Sequence, residues 1–317
     1  MLAGQPLITA VICTYDRYEV LAKAILSVSE QSLPADQYRI LVIDNSPDAE
    51  RALAFSARFR ALRNFFFIHE PDPGLSHARN LAARECGTEF IAFLDDDAIA
   101  SNHWLAAILD GFAEFGGRAM IVGGRVSPIW GAPRPPWLHD KMLGCLSLID
   151  WGGEMRRADE GEWFCGANIS FRTRAILECG GFALDLGRKG PGGALRSNEE
   201  NQLVARIRAR GGTMIYAPRA EVEHLVDAKR LTHAWFRKRI AWQATSDFLM
   251  DPDQFGHKSR ELWLGLRGYL AARPPHERTM RGLLIDTDDS DLFYWQLGAI
   301  YNLTSGLLDG FEGVRFD

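Results

Sequence analysis

At 317 residues the chain is long enough for one large α/β domain or two smaller ones, and its 47% hydrophobic and 24% charged residues are the balance of a water-soluble globular protein. A formal net charge of −5 excludes a global attraction to polyanions, so no nucleic-acid partner is expected. Cys13, Cys86, Cys145, Cys165 and Cys179 lie far apart without a CxxC pair, which excludes a disulfide framework and reads as scattered thiols in a reducing compartment.

The first residues carry neither a basic region nor a small-residue cleavage site, and no apolar run is long enough for a bilayer. The expected location is therefore cytoplasmic, where the Asn302-Leu303-Thr304 sequon has no meaning. From Leu7 to Cys13 a β-rich run ends at Thr14-Tyr15-Asp16-Arg17, and a helix pattern follows with Val20, Leu21, Ala24, Ile25 and Val28 on one face. Arg39 to Ile43 is the next strand, closed by Asp44-Asn45-Ser46-Pro47, with a helix after it from about Ala49 to Leu62. Phe65 to Ile68 and Phe90 to Leu94 are the third and fourth strands, the latter running into Asp95-Asp96-Asp97.

Apolar runs without alternation, separated by helices, predict strands buried on both faces of a mainly parallel sheet, hence an α/β fold. Their polar ends fall at the carboxyl edge, where open α/β sheets form their ligand crevice. The middle reads as less regular: four prolines lie between Pro128 and Pro136, and Trp151-Gly152-Gly153 is loop-like. A strand near Asn168 to Phe171, a helix from Asn198 to Arg210 and two short strands, Met214 to Tyr216 and Glu221 to His224, follow. Gly187 to Gly193 reads as a mobile loop and Gly310 to Gly313 as a tail. From about Asp227 the pattern is helical, with Trp263, Trp295 and Tyr301 as anchors.

Three consecutive carboxylates after an apolar strand need a cation or hydrogen-bond donors to offset their repulsion. A hard divalent cation held by carboxylates and substrate phosphate is one answer. In an extended segment Asp95 and Asp97 address one ligand while Asp96 points elsewhere. The alternative is a solvated acidic turn capping a helix that begins near Ser101.

Seven segments in order resemble the family 2 glycosyltransferases, which have the GT-A fold. They are Val11 to Arg17, Leu41 to Ser46, Gly74-Leu75-Ser76-His77-Ala78-Arg79-Asn80, Phe93 to Asp97, Gly166-Ala167-Asn168, Asn198-Glu199-Glu200 and Ala220 to His224. The resemblance implies an inverting sugar transfer from a nucleoside-diphosphate donor (UDP-, GDP- or dTDP-linked) to a hydroxyl of a glycan or lipid-linked acceptor. It implies Mn²⁺ or Mg²⁺ at Asp95, Asp97 and His224, although a lone histidine is as often structural. Asp44 matches the carboxylate that meets the donor's base, Thr14 and Tyr15 line the nucleoside, and Arg79 meets the diphosphate. Asp95 faces ribose and metal, with Arg17 and Asp96 also on the nucleotide side.

The family's acidic pair, usually Glu-Asp, is Glu199-Glu200 here, which puts the general base on Glu200, one methylene longer. Asp16 stands where the family often has Asn, a charge unwelcome beside a diphosphate unless Arg17 pairs with it. The resemblance covers roughly residues 7–225, so the expected division is a GT-A domain over 1–225, with nucleotide binding in about 1–125 and acceptor binding in about 126–225, then a helical extension over 226–317. The Trp235 to Trp242 segment mixes aromatics and cations. It reads either as a packed helix or as an interfacial one giving peripheral membrane contact. Two other readings stay open: a non-catalytic domain that binds nucleotide sugar or glycan, and a sugar nucleotidyltransferase. The latter class carries a glycine-rich loop after its first strand, which Cys13 to Arg17 lacks.

Overall fold

The computed structural model describes residues 5–188, 195–252 and 259–309. Most of the loop expected at 187–193, and all of the tail expected from 310, lie outside them. The chain forms two compact units. The first comprises residues up to Ile129, then Ser147–Gly192 and Glu199–Leu225. The second comprises Trp130–Leu146, Gly193–Asn198 and Val226 onward. A single cut at residue 225 therefore does not describe the packing, because the chain enters the second unit three times.

In the first unit the strands are β1 (Ile8–Thr14), β2 (Tyr38–Asp44), β3 (Phe65–His69), β4 (Phe90–Asp95), β5 (Ala98–Ala100), β6 (Ala119–Gly123), β7 (Val126–Trp130), β8 (Arg156–Arg157), β9 (Ile169–Arg172), β10 (Thr213–Tyr216) and β11 (Val222–Val226). The last residues of β7 and β11 are assigned to the second unit. Eight of these strands form a sheet in the order β3-β2-β1-β4-β9-β6-β10-β8. Strands β1 to β4 are parallel, and β9 runs against both β4 and β6. The sheet is mixed but mainly parallel, with its central strands buried on both faces as their uninterrupted apolar runs require.

Helices α1 (Tyr18–Ser29), α2 (Ala49–Ser56), α3 (Leu75–Glu85), α4 (Trp104–Phe115), α5 (Thr173–Glu178) and α6 (Glu199–Ala209) flank the strands. In α1 the apolar positions at helical spacing (Leu21, Ala24, Ile25 and Val28) are all buried. A smaller sheet, β5-β11-β7, lies beyond the carboxyl end of β4. Strand β7 contains Pro128, inside the stretch read as irregular. It is an edge strand, where a missing N–H costs no ladder bond.

The second unit consists of α7 (His233–Met250), α8 (Ser259–Ala271), α9 (Ser290–Asp309) and the 130–146 segment. Trp137 packs its ring against His233, Phe236 and Phe293. Arg237 donates to Asp286, Ile285 O and Gln296. Those bonds occupy a cation that an interfacial reading of α7 turns toward lipid. No helix among the described residues is long and apolar enough to cross a membrane.

Candidate active site

The register of the main sheet lines up the chemistry. Thr14 pairs with Asp44, Asp44 with His69, and Cys13 with Asp95, so the carboxyl ends of four parallel strands form one row. Asp95 ends β4, Asp96 and Asp97 form a turn, and β5 begins at Ala98. The triplet is therefore a strand-to-strand turn, and helix α4 starts only at Trp104. That disposes of the helix-capping alternative. Strand β11 pairs antiparallel with β5, with His224 opposite Ala98, and the Leu225 N–H donates to Asp97 O at 2.9 Å. This register places His224 Nε2 3.3 Å from Asp97 Oδ1.

Asp95, Asp97 and His224 each offer one ligand atom, and those atoms lie within 4.8 Å of one another. Two carboxylates and an imidazole form a donor set that suits Mn²⁺ well and Mg²⁺ through its oxygens. Asp96 is not one of this trio, although the turn, unlike the extended segment expected, leaves it and Asp97 both within reach of Arg17. It accepts from Thr14 Oγ1 at 2.7 Å and from Arg17 Nη1 at 2.7 Å. Burial pushes its carboxyl up to about 7, against the pull of Arg17. Arg17 Nη2 donates to Asp97 Oδ2 at 2.7 Å. Burial acts to raise the Asp97 pKa, but the hydrogen bond and charge of His224 and the charge of Arg17 outweigh it and hold the carboxyl below the usual range.

Arg17 thus reaches the triplet and not Asp16, whose carboxylate pairs with Arg51. Asp16 has φ +54°, a left-handed conformation that Asn and Asp tolerate better than other side chains, so the local backbone accepts either residue. Asp44 is fully buried. It accepts from Tyr18 Oη at 3.0 Å, from Ser46 N at 2.8 Å and from the Ser46 hydroxyl. Through the Ser46 bonds it pins the turn after β2. Tyr15 is half-buried.

Arg79, expected at the diphosphate, is 2% exposed and faces three carboxylates. Its Nη1 donates to Glu199 Oε1 at 3.0 Å and Glu200 Oε1 at 2.9 Å, while Nη2 stands 3.6 Å from Asp95 Oδ1. Phe93 and Phe182 flank the guanidinium. Burial works against its charge, but Glu200, Glu199 and Asp95 outweigh burial and keep it protonated. Glu199 is 3% exposed, and its second oxygen has no hydrogen-bond partner among the described residues. Burial, with the Glu200 charge adding to it, pushes the Glu199 carboxyl up to about 8. Glu200 remains reachable, with 13% of its side chain exposed.

Gly166 explains how this cluster closes. A Cβ there would stand 1.9 Å from Arg79 Nη2 and 2.7 Å from Glu200 Oε1, so any larger residue would displace the pair from this arrangement. Within the Gly166-Ala167-Asn168 segment no sequence signal announces this contact, since a glycine beside a buried ion pair looks like any other. Asn168 is fully buried: its Oδ1 accepts from Trp104 Nε1 at 2.9 Å, and its Nδ2 donates to Ala220 O at 2.6 Å and Arg125 O at 3.1 Å. It ties β9 to the chain just before β11. Trp151, partly buried, stacks on Phe164 and packs on Tyr216 against the core.

A mainly parallel sheet carrying an acidic turn, a histidine and a glutamate pair at its carboxyl edge defines a GT-A glycosyltransferase. The chain belongs to glycosyl transferase family 2, whose model matches residues 9–181. It is 29% identical over 251 residues to the glucosyl-dolichyl phosphate glucuronosyltransferase of Haloferax volcanii, a span covering 77% of each chain. It is also 29% identical over 230 residues to the succinoglycan biosynthesis protein ExoM of Rhizobium meliloti, covering 72% of this chain and 70% of that one. The fold is shared with the mannosyltransferase PcManGT of Pyrobaculum calidifontis, solved with GDP-Man and Mn²⁺. That similarity has a TM-score of 0.62 at 18% identity over 98% of this chain and 89% of that chain.

Proposed function

We propose that this enzyme transfers a sugar, with inversion, from a nucleoside-diphosphate donor to a hydroxyl of a glycan or lipid-linked acceptor. The observation that carries this reading is the convergence of Asp95, Asp97 and His224 within 4.8 Å. Glu200 is tied to the same Arg79 that pairs with Asp95. Asp95, Asp97 and His224 would hold Mn²⁺ or Mg²⁺, whose charge stabilises the diphosphate as a leaving group. Glu200 accepts the acceptor's proton as the hydroxyl oxygen bonds to the anomeric carbon. The bond from that carbon to the phosphate oxygen breaks, the nucleoside diphosphate leaves, and the anomeric configuration is reversed.

Thr14, Tyr15 and Arg17 are assigned to the nucleotide side, within residues 1–125, and the acceptor to 126–225. Asp44 serves that side through the Asn45–Ser46 turn it fixes, and Asp96 by anchoring Thr14 and Arg17. Arg79 is assigned to holding Glu200 and Asp95. The relatives' names support the substrate classes: one acts on a glucosyl-dolichyl phosphate, another belongs to succinoglycan biosynthesis, and the Pyrobaculum enzyme binds GDP-Man. A cytoplasmic location, with peripheral contact at the membrane's inner face through the C-terminal helices, belongs to the same proposal.

The test is a screen of UDP-, GDP- and dTDP-sugars against glycan and lipid-linked acceptors with Mn²⁺, reading the product's anomeric configuration by NMR. A single donor class giving an inverted product supports the reading. A product that retains the donor's configuration contradicts it.

A further inference from the structure

We propose that Arg17 is the resident counter-cation of the Asp95–Asp97 turn, keeping the metal site weak until a donor diphosphate draws the guanidinium away. The inference rests on the metal-assisted reading above and adds an order to it, in which the diphosphate is a condition for tight metal binding.

Arg17 spans two carboxylates at 2.7 Å each, one on Asp96 and one on Asp97. Its partners are enclosed, with side chains 8% and 4% exposed, while Arg17 itself is 44% exposed. The mobile partner of these ion pairs is therefore the arginine. Arginine cannot shed its proton at any working pH, so its charge leaves the triplet only if the side chain moves. A diphosphate offers a planar fork oxygens that pair at least as well as carboxylates, and it arrives from solvent, where Arg17 is already open.

The neighbouring pair makes this placement possible. Asp16 is the nearest carboxylate in sequence, yet Arg51 takes it, and Arg17 is left for the triplet. Asp97 meanwhile has one oxygen beside His224 and the other under Arg17. A fixed positive charge on the second oxygen reduces the attraction that a divalent cation meets at the first. Removing that charge strengthens metal binding. By linkage, a diphosphate that recruits Arg17 strengthens the metal by the same factor as the metal strengthens the diphosphate.

The competing role has the opposite sign. If Arg17 only orients Asp97 as a ligand, its loss weakens metal binding by roughly 10–100-fold. The experiment measures Mn²⁺ binding to the full chain by calorimetry and by the electron paramagnetic resonance signal of free Mn²⁺, with and without GDP or UDP. Variants are Arg17→Met, Arg17→Gln as a milder change that also removes the charge, Arg60→Gln as a control that removes an exposed charge of the same unit without touching the triplet or Asp16, and Asp97→Ala.

The expected result is Mn²⁺ alone binding about tenfold or more tightly to Arg17→Met than to the unaltered protein. Arg17→Gln gains in the same direction, Arg60→Gln changes little, and the diphosphate enhancement shrinks in Arg17→Met. Should Arg17→Met fold poorly, Arg17→Gln carries the same sign test. Weaker or unchanged Mn²⁺ binding in Arg17→Met and Arg17→Gln overturns the proposal, as does an equal gain in Arg60→Gln. If Mn²⁺ binds no form of the protein, or binds regardless of Asp97→Ala, the metal-assisted reading itself fails and takes the proposal with it.

Discussion

The turn after β4 and the start of α6 are both built from carboxylates set around one arginine, and the two arginines differ mainly in their access to water. Arg17, 44% exposed, bridges Asp96 and Asp97 from the solvent side. Arg79, 2% exposed, is enclosed by Glu199, Glu200, Asp95 and two aromatic rings. The same chemistry gives two behaviours. A cation that is itself open to water can leave enclosed carboxylates when another cation takes its place, whereas a pair enclosed on both sides is rigid because breaking it strands a charge. On the proposed scheme the metal end of the site is the adjustable one, while Glu200, the proposed base, is held in place through Arg79.

The sharpest test of the locked region is Glu200→Gln, which removes the proposed proton acceptor and keeps a group for Arg79 to donate to. We expect kcat to fall roughly 10²–10⁴-fold with nucleotide binding unchanged, measured by steady-state kinetics beside calorimetry. Equal losses in Glu199→Gln and Glu200→Gln erase the distinction drawn between the two glutamates. Replacing Arg79 by Met leaves buried carboxylates without their cation and should lower stability by about 3–5 kcal/mol in urea unfolding.

The glutamate pair also predicts a pH dependence. Glu199 is pushed up to about 8 from an ordinary 4.5. The stability it contributes is complete below pH 4.5 and is lost as pH rises through about 8. In metal-free buffer the melting temperature should therefore fall between those limits, and fall less in Glu199→Gln. A parallel decline in both proteins would remove Glu199 as its source. The smallest effect belongs to the surface pair: Arg51→Gln should cost under about 1 kcal/mol, because Arg51 and Asp16 are both half exposed. A larger loss would show that this pair does more than leave Arg17 free.

Much of this site was legible along the chain because strand ends are local signals. Apolar runs closing on Thr14, Asp44 and Asp95 gave the sheet edge, and parallel register then puts them in one row. Asp97 and His224 are 127 residues apart, and only the family resemblance joined them before the register of β5 on β11 did. What was hidden depends on which charge finds which partner. Arg17 has an aspartate beside it in sequence and pairs with two others, while Asp16 turns to Arg51. Nothing local distinguishes these choices, since each is decided by where α2 and the β4 turn bring their side chains. The resemblance places Asp44 and Arg79 at the donor, and their enclosure against Ser46, Tyr18 and the glutamates is a matter of packing that no local signal announces. Strand β7 escaped notice because Pro128 reads as a breaker until an edge position removes the objection. The interleaving of residues 130–146 with the C-terminal helices had no sequence signal beyond its aromatic Trp137.

The central claim is that a divalent cation at Asp95, Asp97 and His224 joins the donor's diphosphate to the protein. Calorimetric titration with UDP, GDP and dTDP, each with Mn²⁺ and with EDTA, repeated on Asp97→Ala, tests it most directly. The account predicts that one diphosphate binds with Mn²⁺, and that binding is lost both with EDTA and in the variant. Binding that survives EDTA and Asp97→Ala unchanged, or no binding of any of the three with Mn²⁺ present, would contradict it.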